Sequence, residues 1–323
     1  NFYENNEIDA EVAVISVTDE DATDSYIYSI TGGADASKFK ILGDKLLVGA
    51  VIDYETNSSL EVDIMVTDSD GATYDETFTL AVNNVNEAPT DIVLSNNLIN
   101  ENSTIGTEIG TLSVTDTDNG FGDSHTFTFE NGGSTYGPFL LDGYKLKVNG
   151  NLNYEAQSSY FMKVKATDQA GNSYFEQFQV SINDVNEAPL DFNLSNDRVS
   201  ENEPSGTEIG ILQGLDSDLT EVFTFSLVSG VGDDDNSDFQ ITGDSFKTLA
   251  VFDYESKRSY TVRVRVIDSG GLTYEKVVIV GISDANDTPT DLSLSKDNFY
   301  ENNEIDAEVA VISVTDEDAT DSY

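Results

Sequence analysis

Apolar and polar residues alternate along several short stretches of the chain. In 160–166, 175–182, 260–267 and 277–282, β-branched and aromatic residues predominate, and several of these runs place an apolar side chain at every second position. A period of two sends one face of an extended strand into a core and the other into water, so these segments predict β-strands. Turn-forming clusters such as Gly32-Gly33, Gly132-Gly133 and Gly270-Gly271 belong to a rhythm of turns every eight to twelve residues, and no segment sustains a helical period over three turns. Short strands at that rhythm predict an all-β chain folded as β-sandwiches.

Internal repetition sets the size of each sandwich. Asn86-Glu87-Ala88-Pro89-Thr90-Asp91 returns as Asn186-Glu187-Ala188-Pro189-Leu190-Asp191 and as Asn286-Asp287-Thr288-Pro289-Thr290-Asp291, 100 residues further on each time. Asp53-Tyr54-Glu55, Asn153-Tyr154-Glu155 and Asp253-Tyr254-Glu255 keep the same spacing, as do Asp68, Asp168 and Asp268. Glu101, Glu201 and Glu301 follow Glu4 with the first interval shortened to 97. About a hundred residues accommodate roughly seven strands and their turns. The predicted domains are therefore 1–86, 87–186 and 187–286, with the start of a fourth, truncated one in 287–323.

A longer period lies over the first, because residues 298–323 repeat residues 1–26 letter for letter at an offset of 297. It implies a parent chain in which blocks of three domains recur, seen here through a window that opens and closes partway through a domain. The first domain is expected to lack the lead-in strand that the others have at 89–95 and 189–195. The two identical segments are expected to share one conformation, as in a linear stalk.

Charge narrows the partners. With 61 acidic and 15 basic residues the net charge is -46, the wrong sign for nucleic acid or an anionic membrane surface. At 38% hydrophobic and 10% aromatic, the chain still has material for real cores. It has no cysteine and one histidine, His125, which removes thiol chemistry and histidine-clustered metal centres and leaves oxygen as the abundant ligand. No apolar run approaches the roughly 20 residues of a membrane span, and no basic-then-apolar leader opens the chain, so no membrane insertion is expected in this segment.

Those oxygens stand in register. Each unit has a glutamate after its first strand (Glu4, Glu101, Glu201, Glu301) and then an Asp-x-Asp: Asp19 and Asp21, Asp116 and Asp118, Asp216 and Asp218, Asp316 and Asp318. The Asp-Tyr-Glu motif and the single Asp68, Asp168 or Asp268 come next, and the connectors read Asn84-Val85-Asn86-Glu87, Asp184-Val185-Asn186-Glu187 and Asp284-Ala285-Asn286-Asp287. A lone Asp-x-Asp is ordinary turn chemistry. Five acidic motifs held in phase are not explained by independent turns, and calcium, a hard cation that takes 6–8 oxygen ligands, accounts for them. Tyr54, Tyr154 and Tyr254 read as packing residues and His125 as an ordinary strand residue. A carboxylate pair can serve a glycosidase, yet the same set recurs in every unit, so no enzyme is expected. Asn57-Ser58-Ser59 and Asn102-Ser103-Thr104 match a glycosylation acceptor pattern that is common by chance in a chain rich in Asn and Ser.

Glu-Asn, Thr-Asp-x-Asp, Asp-x-Glu, Ala-x-Asp-x-x-Gly and Asp-x-Asn-Glu-Ala-Pro, in that order along the whole chain, resemble the cadherin repeat in the version found in large bacterial surface proteins. The resemblance implies tandem seven-stranded Greek-key, immunoglobulin-like sandwiches with calcium ions between successive domains. It assigns Glu4, Asp53, Glu55, Asn86, Glu87, Asp116, Asp118 and Asp168 to the first junction. To the second it assigns Glu101, Glu155, Asp184, Asn186, Glu187, Asp216, Asp218 and Asp268, and to the third Glu201, Asp253, Glu255, Asp284, Asn286, Asp287, Asp316 and Asp318. Asp19, Asp21 and Asp68 hold the equivalent positions in the first domain. Asn84 and Asn153 each stand where the other repeats have aspartate, and the connector is one residue shorter than the animal motif, so two or three ions per junction are expected.

The implied function is a calcium-stiffened segment of a very long bacterial surface adhesin or filament, extracellular and at the cell surface. Its partners would be calcium, further copies of the repeat in the parent chain, and other cell-surface proteins or glycans. The alternative is a ligand-binding or spacer module of a secreted carbohydrate-active protein, for which Gly232-Asp233-Asp234-Asp235-Asn236 is the loop without a close counterpart in the other units.

Overall fold

The computed structural model describes residues 2–20, 23–218 and 220–318. It forms two compact units, residues 1–183 and 184–323. Among the described residues, regular structure is β apart from two three-residue 3-10 turns, Ala36–Lys38 and Asn236–Asp238, and no helix is long and apolar enough to cross a membrane.

The first unit holds two sandwiches, of which the second has the full strand set. Its strand Ser159–Thr167 buries Met162, Val164 and Ala166 and turns Phe161 outward, as alternation requires. This strand pairs along its whole length with the antiparallel Ser173–Asn183. Thr126–Phe129 flanks the pair on one side and Leu98–Asn100 on the other, the latter running parallel to Ser181–Asn183. The facing sheet runs Thr135–Tyr136, Phe139–Asp142, Lys145–Val148, Glu108–Thr115, Asp91–Leu94. Between the sheets lie Phe129, Phe139, Leu146, Leu152, Met162 and Val180.

The lead-in stretch is split between both sheets, Asp91–Leu94 in one and Leu98–Asn100 in the other. Asn96 makes the crossing, its side-chain amide donating to the Leu98 carbonyl at 2.9 Å and the Ile109 carbonyl at 2.7 Å. A Cβ on Gly110 would fall 2.5 Å from the Asn96 carbonyl oxygen, so the neighbouring strand bulges between Glu108 and Gly110 and needs glycine there.

In the first sandwich Phe2–Tyr3, Thr73–Asn83, Ser59–Thr67 and Ile27–Gly32 form one sheet and Glu11–Val14, Lys45–Val48 and Phe39–Leu42 the other. A groove of about 560 Å³, lined among others by Ile15, Val17, Tyr28, Val66 and Phe78, lies where the other sandwiches carry a lead-in strand. The second unit holds a third sandwich, around Phe192, Phe239, Phe246, Phe252, Val262 and Val280. Counting its split lead-in as one, that sandwich has seven strands among the described residues. A two-stranded ribbon, Asp291–Leu294 with Ile312–Thr315, follows it.

The identical segments do not share one conformation, contrary to expectation. They keep the same turns, with Asn5 and Asn302 at φ 57° and 63° and Asp9 and Asp306 at φ 76° and 67°. Their strands differ. The first copy is extended at Glu11–Val14, the second at Ile312–Thr315, which is the sequence of residues 15–18. Phe2 is 6% exposed and its counterpart Phe299 is 72% exposed. In the second domain Glu108–Thr111 pairs with Lys145–Lys147 and Leu112–Thr115 with Asp91–Leu94. Each identical copy therefore forms only the half of this strand whose partner is present.

Candidate metal centre

The first unit shows how the acidic motifs meet. Phe2–Tyr3 pairs in parallel with Val82–Asn83, and the Glu4 amide continues the ladder to the Asn83 carbonyl at 3.1 Å. This draws the Glu4 side chain under the domain end, where it is 3% exposed. Its carboxylate accepts the Tyr54 N–H at 2.6 Å and the Val85 N–H at 2.8 Å. Glu201 does the same in the second unit, accepting Tyr254 N–H at 2.6 Å and Ala285 N–H at 2.8 Å, and Glu101 accepts Tyr154 N–H at 2.9 Å. Backbone amides thus compensate a buried anion, each such bond contributing about 1.5–3 kcal/mol. The tyrosine supplies only its backbone; its ring packs against the core in all three domains, and Tyr54 also meets Phe121 edge-on at 5.9 Å.

The first residue of the Asp-Tyr-Glu motif caps its own turn. Asp53 accepts Thr56 N–H at 3.1 Å and Asp253 accepts Ser256 N–H at 2.9 Å, while Asn153 accepts Ala156 N–H at 2.5 Å. One oxygen suffices for that, which is why asparagine is accommodated at 153. The Thr56 hydroxyl and amide hold the Asp53 carboxyl below the usual range. Glu55 goes the other way, pushed up to about 7 by burial and then by the charges of Glu4, Asp118 and Glu87. Burial followed by Glu4 and Asp118 also raises Glu87. Oxygens of Glu4, Asp53 and Glu55 lie within 4.8 Å of one another, and so do those of Glu55, Glu87 and Asp118. Glu55 is therefore common to two acidic triads.

The connector locks onto the Asp-x-Asp. Asp118 accepts Glu87 N–H at 2.7 Å and the Asn84 side-chain amide at 2.9 Å, and Asp168 accepts the Asn86 side-chain amide at 2.7 Å. Asp116 accepts Asp118 N–H at 3.1 Å, which brings all eight residues of the first set to one place. The second unit repeats the pattern, with Glu187 N–H on Asp218 at 2.8 Å, the Asn186 amide on Asp268 at 3.0 Å and Asp287 N–H on Asp318 at 2.5 Å. Burial, then Asp218 and Asp268, raises Asp216; desolvation, then Glu201, Asp284 and Asp318, raises Glu255.

Several of these buried oxygens meet no hydrogen-bond donor: Glu55 Oε1 and Asn84 Oδ1 in the first unit, and Asp216 Oδ2, Asp218 Oδ1 and Asp316 Oδ2 in the second. Buried acceptors are nearly always satisfied. Carboxylates that repel one another around orphaned oxygens are the donor set of a hard cation, and the residues fit calcium.

Glu101 and Glu155 belong to the first unit, and Asp184 to the second. Asn286, whose amide donates to the Asp287 carbonyl, and Glu301 are exposed. Asp19 and Asp68 come together with Asp24, which sequence reading did not single out, whereas Asp21 lies outside the described residues. Asp24 and its counterparts Asp123 and Glu221 each hold the loop after the single aspartate, through Ser69, Gln169 and Ser269. The signal was an acidic residue beyond each Asp-x-Asp, blurred because the second domain has two extra residues before it. His125 is not an ordinary strand residue. It sits just before Thr126–Phe129, its Nε2 lying 2.8 Å from Asp116 Oδ2 and 3.2 Å from Asp123 Oδ2.

Fold and carboxylate arrangement together define tandem cadherin-like sandwiches. Residues 96–183 match the family model of the cadherin domain. The chain is 33% identical over 153 residues to protocadherin Fat 2 of Rattus norvegicus, covering 45% of this chain and 4% of that protein. It is 25% identical over 295 residues to cadherin-4 of Caenorhabditis elegans, covering 86% of this chain and 7% of that protein. The protocadherin GammaB4 extracellular domain superposes with a TM-score of 0.68 at 21% identity, over 98% of this chain and 54% of that one. Mouse cadherin-23 EC22-24 gives 0.61 at 17% identity, over 88% and 94%. These structures establish the tandem cadherin fold. The relatives are animal cadherins and protocadherins, not enzymes, in agreement with the non-enzymatic reading of the repeated carboxylates.

Proposed function

We propose that the chain is a calcium-stiffened segment of an extracellular cell-surface adhesion protein, built of cadherin repeats with domains 1–86, 87–186 and 187–286 and a fourth begun at 287. The observation that carries this is the set of buried, donorless oxygens at Glu55, Asn84, Asp216, Asp218 and Asp316. In the first set Glu4, Asp53, Glu55, Asn86, Glu87, Asp116, Asp118 and Asp168 would hold the ions; in the third, Glu201, Asp253, Glu255, Asp284, Asn286, Asp287, Asp316 and Asp318. The bound cation supplies positive charge among like charges. The chain's own part is to fix the connector, with Glu4 binding the Val85 amide from one side and Asp118 the Glu87 amide from the other.

Extracellular modules of this kind bind calcium at roughly 10⁻⁴ to 10⁻³ M, which suits the outside of a cell and not a calcium-poor cytosol. The recurring motifs support a long bacterial surface adhesin or filament as the parent protein. Further copies of the repeat are the partner we favour, since protocadherin gammaB7 EC3-6, of the same fold at 20% identity, is a cis-dimer. The loop that favoured a ligand-binding module is used internally: Asp233 accepts Gly230 N–H at 3.0 Å and Asp235 accepts Thr261 N–H at 2.8 Å and pairs with Lys257.

Calorimetric titration with calcium tests the reading. Saturable binding of several ions per chain is expected, lost stepwise in Glu55→Gln and Asp118→Asn. No heat of binding at millimolar calcium would overturn it.

A further inference from the structure

Asp116, Asp216 and Asp316 each open an Asp-x-Asp and spend Oδ1 alike, on the amide two residues on, at 3.1, 3.2 and 3.2 Å. Their other oxygens differ. Asp216 Oδ2 and Asp316 Oδ2 are buried without a donor, whereas Asp116 Oδ2 faces His125 Nε2 at 2.8 Å. The residue at this place is Tyr26 in the first domain and Phe223 in the third. The same Nε2 stands 3.2 Å from Asp123 Oδ2, an oxygen that is buried and makes no hydrogen bond. One ring N–H serves one acceptor, and Asp116 is the nearer, so Asp123 Oδ2 is aimed at the nitrogen without a proton to share.

The side chains of Asp116, Asp123 and His125 are 0, 4 and 9% exposed. Their three ligand atoms lie within 4.8 Å of one another. Calcium prefers oxygen, whereas imidazole with carboxylate suits zinc and its neighbours. Zinc binds nitrogen and oxygen at about 2.0–2.2 Å, which in a tetrahedron places adjacent ligand atoms roughly 3.3–3.6 Å apart. The 2.8 and 3.2 Å separations are shorter than that, so the two carboxylate oxygens have to draw back from Nε2 by a few tenths of an ångström as the cation enters. A cavity of about 410 Å³ bordered by Asp118, Phe121 and Gln169 meets the site at Asp123.

We infer that Asp116, Asp123 and His125 form a mixed nitrogen and oxygen site for a borderline divalent cation, zinc above all, peculiar to the second domain. The Nε2 proton leaves when the cation binds. Asp116 also belongs to the proposed calcium set, so the two ions would share a carboxylate, but the inference does not require calcium at the junction.

The test is titration of the full chain with cobalt(II) in millimolar calcium, read by visible absorption. One cobalt per chain with d–d bands of low coordination number is expected, reversed by zinc. His125→Phe, which installs the residue of the third domain, and Asp123→Asn should each weaken binding by at least about tenfold. Calcium calorimetry of His125→Phe should keep its saturable binding, which separates failure of this site from failure of the junction. If His125→Phe does not fold, the imidazole ¹⁵N resonances of the unaltered chain decide, since zinc should shift Nε2. Absence of cobalt bands, cobalt binding by both variants as tight as by the unaltered chain, or an unmoved Nε2 resonance would each overturn the inference.

Discussion

Glu55 sits among three charges of its own sign, and its carboxyl moves from an ordinary 4.5 to about 7, burial being the first cause. A carboxyl raised by folding binds its proton more tightly in the native chain than in the unfolded one. Stability without divalent cations must therefore fall as pH rises through the window from about 4.5 to about 7. Asp53, lowered by Thr56, acts in the opposite sense and loses its contribution as pH falls through the aspartate range. In chelator the first unit should melt higher near about pH 5 than near about pH 8, and Glu55→Gln should flatten the difference. Thermal unfolding at the two pH values checks both. Glu201 offers a second test, because its truncation to alanine strips the acceptor from two amides. A loss of about 2–4 kcal/mol in chemical denaturation is expected, less than two charged hydrogen bonds because a buried charge is also relieved. Much of this site could be read directly, since Glu4, Asp118 and Asp168 recur in phase. Asn84 was legible only as a departure, because that its amide would reach Asp118 depends on where the next domain's turn falls. Asp123 and His125 were hidden for a related reason: their meaning lies in a contact with Asp116 that one-dimensional spacing does not encode.

Strands long enough to show alternation, such as Ser159–Thr167 and Ser259–Ile267, could be located from pattern alone, since one face of each must be apolar. Strand ends could not. The octapeptide at 11–18 recurs unchanged at 308–315, yet its first half is extended in one place and its second half in the other. Propensity is identical, so the ladder partner decides: Lys45–Val48 in one case, Asp291–Leu294 in the other. Hydrogen exchange should show this, with slow amides within 11–14 and fast ones in 308–310, and the reverse for the second halves. Equal protection in both copies would contradict the structure. Extending the chain until the fourth sandwich can close should slow exchange across all of 308–315. Gly110 teaches the same lesson, because its need for hydrogen as a side chain comes from Asn96, fourteen positions away, crossing above it.

For the molecule as a whole, the proposed ions bind parts of the chain that are distant in sequence, so their removal should be felt first in the connectors. Chelation is expected to open 84–90 to protease before the sandwich cores yield, and to lower the radius of gyration measured by X-ray scattering at low salt. Identical digestion and scattering with calcium and with chelator would remove calcium as the stiffening agent. The sandwiches themselves answer a different demand through the parallel pairing of their entry and exit strands: Phe2–Tyr3 beside Val82–Asn83, Leu98–Asn100 beside Ser181–Asn183, and Arg198–Ser200 beside Gly281–Ser283. A pull on the two ends of any one domain drags such neighbours lengthwise past each other. Every bond in the pair then bears tension together, whereas a hairpin pulled at its open end surrenders its bonds singly. Each domain should hold its length under rising force and then give way all at once, so a tether made of these repeats would lengthen in discrete steps and keep its remaining links intact while one is spent.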